Sequence, residues 1–136
     1  MRTTLDGEGC LIFKLPVNSD SHFGGMIVIE EDVADALKNA LSFAVEIWDT
    51  IDATQRISHA PVACSLLSGN YGVWRTRAEQ AASPDRYSID SSNGERKPIH
   101  LNPATRVRSA VSYQRDEIVD DLITLLRRQS KGGRFR

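Results

Sequence analysis

Residues 32–51, DVADALKNALSFAVEIWDTI, constrain the fold more than any other part of the chain. Val33, Leu37, Ala40, Leu41, Ala44, Trp48 and Ile51 recur at spacings of three and four. That period places them on one stripe of an α-helix, which must be covered by other elements to leave water. Glu30, Glu31 and Asp32 precede the stripe and suit the positive end of the helix dipole, with Asp32 as the expected cap. Phe43 and Ile47 lie off the stripe and widen the apolar surface. A helix this broadly apolar is expected either to sit between two layers or to contact a partner, so Phe43, Ile47 and Trp48 are candidate protein-contact residues.

A second helix is expected over residues 114–129. Ile118, Leu122, Leu125 and Leu126 form its stripe, with Val119 and Ile123 beside it. Asp116 and Glu117 open it and Arg127 and Arg128 close it, both in the sense that the helix dipole favours. Before and between the helices the patterns are those of strands. Residues 9–17 alternate, with Leu11, Phe13 and Leu15 on one face, and residues 26–30 form a short apolar run. Their separation by a loop of turn formers predicts a hairpin between them.

Residues 57–68 fit either a strand or a helix beginning at Pro61. A strand is expected over 71–77, followed by a helical turn over 78–82. Short strands are expected over 86–89 and 98–101 around the Asn93-Gly94 turn, and a loop over 102–112. The order is then ββα, an undecided segment, and β–ββ–α. This predicts an α+β fold: a small antiparallel or mixed sheet of short strands carrying two main amphipathic helices. The 136 residues suit one globular domain over residues 1–129, with 130–136, SKGGRFR, as a basic flexible tail.

Forty per cent hydrophobic and 26% charged residues exclude a wholly disordered chain. The net charge of −1 gives no overall attraction for polyanions, yet its distribution is uneven. Residues 1–60 hold four Lys/Arg against ten Asp/Glu; residues 61–136 hold thirteen against eight. Either the halves neutralise one another within the fold, or the basic half offers a face to an anionic partner. For the second case the candidate contacts with DNA, RNA or an acidic protein are Tyr71, Arg75, Arg77, Arg106, Arg108, Arg127, Arg128, Lys131 and Arg134. Strand alternation over 71–77 puts Trp74 inward and leaves Tyr71, Arg75 and Arg77 along one outer edge.

The chemistry-bearing residues are sparse. The sequence has no GxGxxG, Walker loop, HExxH, CxxC or GxSxG, so no cofactor or metal is expected. Cys64 with His59 or His100 is the one candidate for a cysteine-dependent enzyme. A helix starting at Pro61 would lower the thiol pKa there, whereas apolar Val62, Ala63, Leu66 and Leu67 would raise it. Cys10 and Cys64 are expected to be reduced thiols in a cytoplasmic chain. No apolar run approaches the ~20 residues a membrane-spanning helix needs. The expectation is therefore a non-catalytic accessory or interaction domain that docks on a protein or on itself, with nucleic-acid binding through the Arg-rich half as the alternative.

Overall fold

The computed structural model describes residues 2–6, 10–15, 27–67, 73–82 and 98–132. Its main helix, α1, runs Glu30–Ile51. It starts two residues before Asp32, with Ile29 at the N-cap and no side-chain cap; the three acids fill the first turn instead. Val33, Ala40, Leu41 and Ala44 are buried, as the stripe predicts. Ile51, at the last turn, is not covered. The C-terminal helix, α4, runs Arg115–Gly132, three residues into the segment expected as a tail. A short helix, α3 (Arg108–Tyr113), leads into it.

The buried face of α4 is Ile118, Val119, Leu122, Ile123 and Leu126, while Leu125 is exposed. At about 100° per residue, Val119 and Ile123 fall on the same side as Leu122 and Leu126, and Leu125 falls at the rim. The face is thus rotated toward Val119 relative to the stripe read from the leucines. Together with Val33 and Leu41 of α1, Val111 of α3, and Val28, Trp74 and Leu101, these residues make one contiguous core. Each fully buried aliphatic side chain in such a core contributes roughly 1.5–3 kcal/mol of transfer free energy.

The architecture is mixed α+β, with short strands paired two by two. Strands β1 (Arg2–Leu5) and β2 (Leu11–Lys14) form an antiparallel hairpin, with Thr3 opposite Phe13 and Leu5 opposite Leu11. Strand β3 (Ile27–Ile29) pairs in parallel with β6 (Val73–Arg75). The hairpin expected between residues 9–17 and 26–30 is therefore replaced by two other pairings. The reason lies in burial: Val28 and Ile29 are both covered, and a strand buried on both faces suits a parallel pair. Strands β4 (His59–Val62) and β8 (Ala104–Val107) pair antiparallel, as do β5 (Ser65–Leu66) and β7 (Ile99–His100). Residues 59–62 and 65–66 are thus strand rather than helix, and the loop expected over 102–112 contains β8 and α3.

Helix α2 (Arg77–Ala82) follows β6 directly. Thr76 starts it with a reciprocal cap: its Oγ1 accepts from the Glu79 N–H at 3.1 Å, and its own N–H donates to Glu79 Oε1 at 3.3 Å. The expected strand over 86–89 and the turn at Asn93-Gly94 lie outside the described residues.

Candidate functional site

The arginines of the C-terminal half are the candidates for the alternative reading, an anionic partner, and most of those described have partners within the fold. Arg108 begins α3 and is buried at 6% exposure. Its guanidinium donates to Asp52 Oδ2 at 2.7 Å and to Asp49 Oδ1 at 3.0 Å, both at the C-terminal end of α1. It also donates to the carbonyls of Ile57 and Asp52. The chain is aimed into this joint by the Arg108 N–H, which donates to the Ser58 carbonyl at 2.8 Å. Asp52 accepts the N–H groups of Ile57 and Arg56 as well, at 2.8 and 3.1 Å. Those backbone donors, Ile57 foremost, and Arg108 hold the Asp52 carboxyl below its ordinary range against the opposing effect of desolvation. The turn closes with Gln55 at φ 54, a left-handed conformation uncommon for a residue with a Cβ.

Arg75 is likewise buried, at 9% exposure, and donates to Gln80 Oε1 and the Glu79 carbonyl of α2. The expected outer edge of Arg75 and Arg77 is thus split. Trp74 is buried as expected, and Arg75 joins it because both faces of the β3–β6 pair are covered. Arg77 remains exposed, ion-paired to Asp32 at 2.9 Å, with its N–H donating to Glu31 Oε2 at 2.8 Å. Arg127 of α4 pairs with Glu30, whose carboxylate also accepts the Trp74 indole N–H at 3.1 Å. Arg106 pairs with Asp121 at 3.4 Å, and its Nε is a buried donor without a partner. Arg128 is exposed. Lys131 lies within α4, and Tyr71 and Arg134 fall outside the described residues.

Four of these ion pairs join the acidic N-terminal part to the basic C-terminal part: Arg77–Asp32, Arg127–Glu30, Arg108–Asp49 and Arg108–Asp52. The uneven charge is in these contacts an internal complementarity. What sequence reasoning missed is the partner of each buried arginine. One local signal was present: Thr76-x-x-Glu79 announces a capped helix directly after Arg75, and hence a route for that side chain into α2.

Cys64 is half-buried against the core, and burial pushes its thiol up to about 11. Its segment is not a helix, so the helix N-terminus that would have activated it is missing. His59 and His100 each share a hydrogen bond through Nδ1 with a serine, Ser58 and Ser65 respectively, both at 2.8 Å. Both cysteines are free, and no three potential metal ligands converge among the described residues. No described helix is long and apolar enough to cross a membrane.

The aromatic candidates give a different picture. On α1, Asp35, Asn39, Phe43, Glu46 and Thr50 are exposed at helical spacing, with Ile47 half-buried alongside and Ile51 exposed beyond. Phe43, at 37% exposure, stands at the middle of this outer stripe. Trp48 faces the other way and packs on the core. Phe13 of the hairpin meets Phe43 edge-on, with ring centroids 6.1 Å apart. Leu5, 53% exposed, shares the Phe13 face and continues the apolar surface from the helix onto the strands, while Ile12, 43% exposed, lies on the opposite hairpin face.

No family model, curated protein or solved structure matches this chain.

Proposed function

We propose that the protein is a non-catalytic interaction domain that docks through the outer face of α1, with Phe43 at its centre and Ile47 and Ile51 beside it. The observation that carries this reading is the exposed Phe43 on α1, with exposed Leu5 on the hairpin face that meets it through Phe13. An apolar surface of this kind, rimmed by polar residues, is what protein contacts use. Trp48 takes a supporting part from the core side and is not a contact residue in this proposal.

Polyanion binding has less behind it, since Arg75, Arg77, Arg106, Arg108 and Arg127 already have acceptors in the fold. The test is crosslinking of a photoreactive group placed at Phe43 in the native host, compared with one at Arg128. Specific protein adducts at position 43 alone are expected. Adducts to nucleic acid at position 128, with none at 43, would reverse the assignment.

A further inference from the structure

The β1–β2 hairpin carries a defect that points to its occupant. Arg2 stands directly opposite Lys14 in the strand register. Like charges so placed repel, and neither has an acidic partner among the described residues. An isolated two-stranded hairpin is marginal even without such repulsion. Pleating puts Arg2, Thr4, Ile12 and Lys14 on one face, away from the Phe13 side that meets Phe43. That outer face is apolar at Ile12 and basic at its open end.

The outer stripe of α1 is its counterpart. Around Phe43 its exposed charged residues are Asp35, Glu46 and Asp49; the one lysine of α1, Lys38, has a 45% exposed side chain and is ion-paired to Asp116 of α4. Asp49 is engaged by Arg108, while the Asp35 and Glu46 carboxylates have no cationic partner among the described residues. One chain thus carries a basic strand face with an apolar centre beside an acidic helix face with an apolar centre. A two-fold axis matches such a surface to itself, each copy supplying both members.

Resting on the docking reading above, we infer that the occupant of this surface is a second copy of the chain. The hairpin of each protomer lies across α1 of its partner, Ile12 against Phe43 and Ile47, with Arg2 and Lys14 facing Asp35 and Glu46. The association relieves the Arg2–Lys14 repulsion and covers both apolar centres.

Sedimentation velocity of the full chain over roughly 1–200 μM tests this, since that range spans micromolar association. The wild type is expected to dimerise, more weakly as salt is raised. R2E/K14E and D35K/E46K should each weaken the dimer at least about tenfold with unchanged circular dichroism. The chain carrying all four reversals should recover it, because the charge pattern is inverted on both sides. Failure of the fourfold variant to recover, or a wild type monomeric throughout, overturns the second-copy assignment. A monomer whose position-43 crosslinks reach another protein leaves the docking reading standing; a monomer without such adducts removes both.

Discussion

The hairpin and the joint around Arg108 both place positive charge in the fold, and they treat it in opposite ways. At the joint, one buried guanidinium meets two carboxylates and two carbonyls, so each of its two terminal nitrogens has two acceptors. On the hairpin, two cations face each other across the strands and neither has an acidic partner among the described residues. The first arrangement suits a contact made once, on folding. The second leaves charge and apolar surface exposed on the strands. The comparison teaches that the number of basic residues in a segment says little about its role; what matters is whether the fold has already supplied their acceptors.

The strongest way to break this contrast is to attack the core that anchors the joint. Leu126 is fully buried among the α4 residues that pack against the rest of the core. Leu126→Ala should cost about 2–5 kcal/mol in urea unfolding, through lost transfer energy and an unfilled cavity. Arg108→Ala should come next, lowering the melting temperature by several degrees, because Asp52 loses its cation and α1 loses its tie to α3. A melting temperature unchanged by Arg108→Ala would mean that the joint is not a stability element.

The hairpin should respond more gently. Phe13→Ala removes one side of the Phe13–Phe43 ring pair and should cost about 1 kcal/mol or less. Its sharper signature is local: hydrogen exchange should accelerate in residues 2–5 and 11–14 while α1 and α4 keep their protection. The smallest effect concerns acid. The folded-state pKa of Asp52 lies below its ordinary value of 3.8, so its contribution is complete above that value and lost as pH falls through the lower, folded-state one. Asp52→Asn should flatten the acid limb of stability below about pH 4, and an unaltered limb would assign acid sensitivity to other carboxylates.

Much of the helical frame was legible because it is periodic. The stripe of α1 needs nothing beyond its own spacing, and the off-stripe position of Phe43 matches its exposure. The core face of α4 was read slightly askew, since the eye follows leucines while packing also recruits Val119 and Ile123. Strand pairing was less accessible. Residues 2–5, RTTL, have no apolar alternation, so nothing local marks them as the partner of residues 11–14. β8 depends on β4, and Arg108 on Asp49 and Asp52, which stand far back in the chain. Charge alone suggested a surface for Arg75 and Arg108; their burial follows from acceptors that only the tertiary fold brings within reach.

The place of α4 in the chain also matters during synthesis. Chains emerge N-terminus first, and α1 is complete long before the residues that cover Val33 and Leu41 have been made. Ile27–Ile29 must likewise wait for Val73–Arg75. A nascent or prematurely terminated chain ending before Arg115 therefore lacks the α4 share of the covering of α1, in addition to its exposed Phe43 side. Such a fragment is expected to expose the apolar surface that α4 covers in the finished protein and so to be prone to association.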